Sequence, residues 1–244
     1  MEILAAALLG LASGFISALS TGGGLLTIPG LILLGVPPVA AIATSRLGAV
    51  SAAVSSSILY HRGGMVVWRY MPYFAVIAVI AGIVGPRILL QLDETVVEKG
   101  VAILLLSLLP LVLLQKELGV TVREVTRSRK YAGMVLLSLV MLYTTIFGAG
   151  SGILFLYVLV VFFGMHIVQA NATCTVMSLI GSSVALISFI ESGNVLFHLA
   201  IPLSIGALAG GYLGAHTALK KGPAWIKWVL VPVIVVSSCK LLIA

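Results

Sequence analysis

Ser20-Thr21-Gly22-Gly23-Gly24-Leu25-Leu26-Thr27-Ile28-Pro29 interrupts one apolar run, and Gly148-Ala149-Gly150-Ser151-Gly152-Ile153-Leu154-Phe155-Leu156 interrupts another in the second half of the chain. Both restarts reach a glycine, Gly35 or Gly164, and then a short motif, Ala43-Thr44-Ser45 or Ala172-Thr173-Cys174. Further glycines follow in step: Gly64 with Gly193, Gly82 with Gly211, Gly85 with Gly214. The chain thus carries one motif twice. Inside a bilayer, irregular backbone survives only where it is buried in protein or lines a cavity. Two glycine-interrupted hydrophobic segments at corresponding positions therefore point to a transporter's binding site.

Composition identifies the solvent. Hydrophobic residues make up 61% of the chain and charged residues only 9%, and the charges cluster between long apolar runs, which is the signature of an integral membrane protein in contact with the lipid bilayer. The net charge of +7 does not indicate nucleic-acid binding, because the Lys and Arg residues fall in connections, with no basic stripe and no interleaved stacking aromatics. Cys174 and Cys239 lie inside apolar segments, where a small packing role is expected instead of a disulfide or metal pair. Glu2 stands where a signal peptide would be positive, so a cleaved leader is not expected.

Crossing about 30 Å of hydrocarbon takes roughly 20 helical residues. Ile3 to Leu19 is long enough to cross, whereas Leu25 to Gly35 reaches only about half as far and reads as a half-helix. Pro37-Pro38 opens a long helix to about Tyr60, since proline suits a first turn. Spans from Tyr70 to Leu92 and from Val96 to Leu114 complete the first half. The second half repeats the order, with Tyr131 to Phe147, a short piece from Ile153 to Gly164, a long helix from His166 to Ile190, and spans from His198 to Leu219 and Trp225 to Ile243. The expectation is one all-α transmembrane domain over 1–244, with repeats at about 1–114 and 131–244. Each repeat would contain a glycine-broken re-entrant hairpin and three spanning helices.

The connection Gln115 to Lys130 carries Lys116, Arg123, Arg127, Arg129 and Lys130 against Glu117 and Glu124, and by the positive-inside rule it faces the cytoplasm. Two crossings back, Arg62 and Arg69 fall on the same side, whereas the equivalent turn, Glu191 to His198, has no Lys or Arg. One connection later the pattern reverses, with Arg87, Asp93 and Glu94 in the first half and Lys220-Lys221 in the second. Equivalent loops that prefer opposite sides imply an inverted-topology repeat. Both termini would then lie outside.

Gly22-Gly23-Gly24 before a short helix with Pro29, Gly35 before Pro37, Ala43-Thr44-Ser45, and Gly63 to Trp68 resemble the TauE/SafE family of sulfite and organosulfonate exporters. The similarity covers essentially the whole chain, and its specificity lies in the doubled order of motifs. The resemblance implies an inner-membrane exporter of small sulfur-containing anions such as sulfite or sulfoacetate. The sequence departs from the pattern at Arg46, where an apolar residue is expected, at Ser151 within the second glycine cluster, and at Phe197, the counterpart of Trp68.

The residues themselves can be asked what they would bind. A half-helix starting near Leu25 or Ile153 leaves its first N–H groups unpaired and its positive dipole end near the midplane, which favours an anion. The segments before the breaks end in unpaired carbonyls, which could hold a cation, so side chains must decide the sign. No Asp or Glu lies deep in any expected span, whereas Arg46 lies about midway along one, a costly position for an arginine without a partner. The candidate binding set is therefore the backbone of Thr21, Gly22, Gly23, Gly24, Gly150, Ser151 and Gly152, the Arg46 guanidinium, the hydroxyls of Thr44, Ser45 and Thr173, and the Asn171 amide. Together these offer donors to the oxygens of a sulfonate.

Competing readings remain at this level. Arg46 can snorkel or pair with backbone carbonyls, and Gly82, Gly85, Gly210, Gly211 and Gly214 read as packing contacts. His61, His166, His198 and His216 lie near helix ends with no metal-ligand spacing, and no cofactor is expected. A cation or neutral-solute carrier, an intramembrane serine hydrolase built on Gly150-Ser151-Gly152, and a structural subunit are the alternatives. Gly23 occupies the place of Ser151 in the first half, so the recurring element is an accommodating backbone and not a hydroxyl. A homo-oligomer is left open.

Overall fold

The computed structural model describes residues 2–20, 22–93, 96, 125–148 and 151–221, with nothing assigned to the side chains of 153 and 221. The span expected over 225–243, that expected from Val96 to 114 beyond Val96 itself, and Thr21, Ala149 and Gly150 lie outside the described residues. Within them the chain is helical: α1 Glu2–Ser20, α2 Gly24–Leu33, α3 Pro38–Arg62, α4 Met71–Leu89 after a short 3-10 turn Trp68–Tyr70, α5 Arg127–Ile146, α6 Ser151–Phe163, α7 Ile167–Glu191 and α8 Phe197–Lys221. Five segments are long and apolar enough to cross a membrane, namely α1, α3, Trp68–Leu89, α7 and α8 up to Lys220. The half-helices are shorter, 10 residues for α2 and 13 for α6. Their order in each half is the order the sequence predicts.

Repeated glycines end equivalent helices. Gly35 and Gly164 follow the half-helices and Gly64 and Gly193 follow the long ones, all with φ between 66° and 83°, a region costly for residues with a Cβ. At Gly35 the N–H of Val36 reaches the Leu31 carbonyl (3.1 Å) and that of Gly35 the Ile32 carbonyl (2.9 Å), a Schellman closure that satisfies the last carbonyls of α2. Gly64 and Gly193 close α3 and α7 in the same way, through Met65 to Tyr60 and Asn194 to Phe189.

The expected connection ending at Lys130 is shorter than the sequence suggested, because α5 already starts at Arg127. Two of its cations rest over aromatic rings, Arg129 over Phe162 at 5.9 Å and Lys130 over Tyr70 at 5.8 Å. These contacts support helix where composition alone reads as loop.

Packing is preserved when the two halves are exchanged. α1 lies on α8 as α5 lies on α4, α3 lies on α8 as α7 lies on α4, and α3 meets α7. Small residues allow the closest approach. Gly10 and Gly14 of α1 face the backbone of Leu203 and Ala207, while Gly206, Gly210 and Gly214 of α8 face that of Ala7, Leu11 and Phe15, so van der Waals contact between backbones replaces side-chain interdigitation. Gly82 meets Gly181 and Val184, Gly85 meets Thr145, and Gly211 meets Ala52, which are packing roles throughout. Outward stripes such as Tyr73, Val76 and Ile80 on α4 and Ile201, Ile205, Leu208 and Tyr212 on α8 stay exposed, as a lipid-facing surface requires.

The long helices α3 and α7 run antiparallel. Thr44, near the start of α3, accepts a hydrogen bond from the Leu196 N–H just beyond the end of α7 (3.1 Å). Thr173, near the start of α7, accepts one from the Val67 N–H just beyond the end of α3 (3.0 Å). Thr173 and Leu196 stand at the same offset from Thr44 and Val67.

Candidate substrate site

The two breaks meet across one cavity of about 60 Å³. Four faces build it: Ser13, Gly14 and Ser17 from α1; Gly23, Gly24, Thr27 and Ile28 from the start of α2; Arg46 and its neighbours from α3; and Thr175, Ser178 and Ser182 from α7. Thr144, Gly148 and Ser151 close it at the second break. One water needs roughly 10–15 Å³ measured in this way, so the space suits about four to six water-sized groups, the scale of a small solute.

Arg46 is 3% exposed. Its Nη2 donates to the carbonyls of Thr144 (2.9 Å) and Thr145 (2.8 Å), and its buried Nε has no partner among the described residues. Those carbonyls belong to the last turn of α5, where four carbonyls lack intrahelical partners and the dipole is negative. A buried guanidinium at a helix C-terminus is therefore stabilised locally, which answers in part the cost of an arginine inside the membrane. Gly148, at φ 73°, turns the chain immediately beyond, and a Cβ there would lie 3.3 Å from Nη2.

The first break is capped by neutral groups. Asn171 Nδ2 donates to the Ala18 carbonyl (2.6 Å) and to Tyr60 Oη (3.0 Å), and Tyr60 donates to the same carbonyl (2.5 Å). Ala18 lies in the last turn of α1, so both broken helix ends have donors on their carbonyls, one charged and one neutral.

The structure brings together only part of the sequence-derived set. Gly23, Gly24, Ser45, Arg46 and Ser151 line the cavity. Gly22, Thr44, Gly152, Asn171 and Thr173 are not among its lining residues, and Thr21 and Gly150 lie outside the described residues. Thr44 and Thr173 spend their oxygens on the cross-helix bonds given above, and Asn171 serves the end of α1. The hydroxyl of Ser45 donates back to the Ile42 carbonyl at 2.7 Å. Gly23 has a packing reason as well, since a Cβ there would lie 2.6 Å from the Ser13 carbonyl oxygen and 2.7 Å from Ser17 Cβ. The half-helices start slightly earlier than read from sequence, at Gly24 and Ser151.

The candidate set leaves out Ser13, Ser17, Thr175, Ser178 and Ser182, and Gly148 although it stands in the second break. A detectable signal exists for three of them: Thr175, Ser178 and Ser182 repeat at helical spacing along α7, the polar stripe that amphipathicity would flag in a less uniformly apolar helix. Several cavity hydroxyls return their protons to their own helices, Ser13 to Gly10, Thr27 to Gly23, Thr144 to Val140 and Thr175 to Asn171. Among the described residues Ser17 and Ser182 make no such bond. Among the described residues no group of three His, Cys, Asp or Glu side chains could hold a metal ion.

Comparison with known proteins decides the family, because the sequence pattern described as Sulfite exporter TauE/SafE matches residues 6–241. The chain belongs to the TauE/SafE family. Relatives include a probable membrane transporter protein of Haemophilus influenzae, 27% identical over 94% of this chain and 88% of its own length. The probable membrane transporter protein YfcA of Escherichia coli K12 is also 27% identical, over 94% and 86%. A third, ORF9 of a Sinorhizobium species, is 26% identical over 94% and 88%. No solved structure matches significantly. This TauE/SafE member is thus an integral membrane protein of a transporter family, and the glycine breaks in its sequence are the breaks that bound its central cavity.

Proposed function

We propose that this TauE/SafE protein exports small sulfur oxyanions, sulfite or the head of an organosulfonate such as sulfoacetate, across a bacterial inner membrane by alternating access. The observation that carries the reading is the charge of the cavity wall: Arg46 is the one charged side chain among its described lining residues. Two helix N-termini, of α2 and α6, also open onto it through Gly23, Gly24 and Ser151, and each contributes partial positive charge. Ser17 and Ser182 place hydroxyl donors on the cavity wall, matching a guest with several acceptor oxygens.

A cation carrier would use the carbonyls at the breaks, but those of Thr144 and Thr145 already accept from Arg46 and that of Ala18 from Asn171 and Tyr60. A serine hydrolase would need a base beside Ser151; no histidine is among the described lining residues, and the relatives carry transporter names. The antiparallel course of α3 and α7 supports inversion of the repeats. If two equivalent helices both span the bilayer and point in opposite directions, the axis relating them lies in the membrane plane.

Anion exit is favoured by the membrane potential, at about 2.3 kcal/mol per charge per 100 mV, so export needs no coupled ion. Proteoliposomes loaded with sulfite, sulfoacetate, taurine, thiosulfate, sulfate or chloride test the reading, at imposed potential and with or without a pH gradient. Sulfite or sulfonate flux that follows the potential is expected. Flux of a cation, or none of any anion in the panel, would overturn it.

A further inference from the structure

The threonines that recur in the doubled motif do not line the cavity, and their bonds supply the inference. Thr44 and Thr173 are both fully buried. Each uses its hydroxyl oxygen to hold the backbone N–H that leads into the next helix of the opposite repeat: Leu196 before α8, and Val67 before the turn into α4. The two bonds are reciprocal, equal in length within 0.1 Å (3.1 and 3.0 Å), and placed at equivalent positions. Val67 and Leu196 are only half-buried, so a released N–H can reach water without remaining orphaned. A hydrogen bond of this kind contributes on the order of 1 kcal/mol net, enough to bias an equilibrium without freezing it.

We infer that Thr44 and Thr173 form a pair of opposed clasps, one for each side of the membrane, and that transport releases them in turn. With both clasps made, the structure is the symmetric member of the cycle. Breaking the Leu196 clasp frees α8, on which α1 and α3 pack, and opens one side. Breaking the Val67 clasp frees α4, on which α5 and α7 pack, and opens the other. The proposal rests on the inverted-repeat reading, since only inversion makes equivalent clasps face opposite sides.

The test places a reporter cysteine on the cavity wall, Ala49→Cys, in a background with Cys174→Ala and Cys239→Ala. Its labelling by a membrane-impermeant thiol reagent is measured from each side of the membrane. Thr44→Val and Thr173→Val keep the side-chain shape and remove the acceptor. Each is expected to change the ratio of the two labelling rates by about fivefold, the population shift that one lost hydrogen bond produces, and in opposite directions. The double variant should return to the parental ratio. Lowered melting temperatures with an unchanged ratio would make the bonds merely structural and overturn the proposal, as would two shifts in the same direction. Sulfite flux by the parental protein, measured separately, reports on the substrate reading, and the sidedness of the termini reports on inversion, so failure of either is distinguishable from failure of the clasps.

Discussion

Arg46 binds the end of α5 through one nitrogen while lining the cavity, so its removal affects two properties at once. Arg46→Ala leaves the Thr144 and Thr145 carbonyls without their donor, and charge-assisted bonds of this type are worth about 1.5–3 kcal/mol. The melting temperature in detergent should fall by several degrees, and sulfite affinity in the folded fraction should fall about tenfold to a hundredfold. Arg46→Lys should recover part of the affinity, because it keeps the charge and loses the planar fork. Melting curves alongside isothermal sulfite titration check both arms, and unchanged affinity would confine Arg46 to capping. Gly148→Ala is expected to cost about 1–2 kcal/mol for its left-handed φ and to displace the guanidinium, seen as a lower melting temperature together with weaker sulfite binding. At this scale the sequence made Arg46 legible as a lone cation midway along an apolar helix. Its partners were not legible, because main-chain carbonyls have no residue signature and these lie on a helix far away in sequence.

Between elements the glycines are not interchangeable. Gly23 sits where the start of α2 presses on α1, with Ser13 O and Ser17 Cβ inside 3 Å of an added Cβ, whereas an added Cβ at Gly22 would come no closer than 3.2 Å, to the end of the Ser20 side chain. Gly23→Ala should therefore shift α2 away from α1 and lower both stability and transport, while Gly22→Ala should leave both nearly intact. Thermal melts and flux assays on the two variants provide the comparison, and equal effects would remove the packing explanation. The helices themselves were readable from the breaks, the prolines and the closing glycines, and their order matches expectation. What could not be read was pairing. The stripes on α1 and α8 announce close packing, but a glycine does not name its neighbour, and a threonine that clasps another repeat looks in sequence like one that would bind a substrate. Repetition marked Thr44 and Thr173 as constrained, and each hydroxyl oxygen makes a contact between repeats.

The whole molecule adds the one property that neither residues nor elements carry, its direction in the membrane. By the positive-inside rule the loop charges predict a cytoplasmic 115–130 connection, and with it cytoplasmic Arg62 and Arg69. The reciprocal bonds Thr44 to Leu196 and Thr173 to Val67 set α3 antiparallel to α7, so the turn after α7 must lie on the side opposite the turn after α3 if both helices cross. The exposed turn residue Ser192 should therefore face the periplasm and Gly63, equally exposed at the end of α3, the cytoplasm. Glu2 opens a hairpin in which α2 runs back along α1, Gly23 beside Ser17 and Gly30 beside Leu9, so it lies on the side where α3 begins and should share the side of Ser192. Single cysteines at Glu2, Gly63 and Ser192 in a cysteine-free background, labelled in intact cells with an impermeant maleimide, give the answer directly. Labelling of Glu2→Cys and Ser192→Cys with protection of Gly63→Cys is expected. If Gly63→Cys and Ser192→Cys label from the same side, the antiparallel helices do not both span the bilayer, the axis relating the repeats does not lie in the membrane plane, and the opposed clasps lose their basis even though the anion site between the breaks would stand.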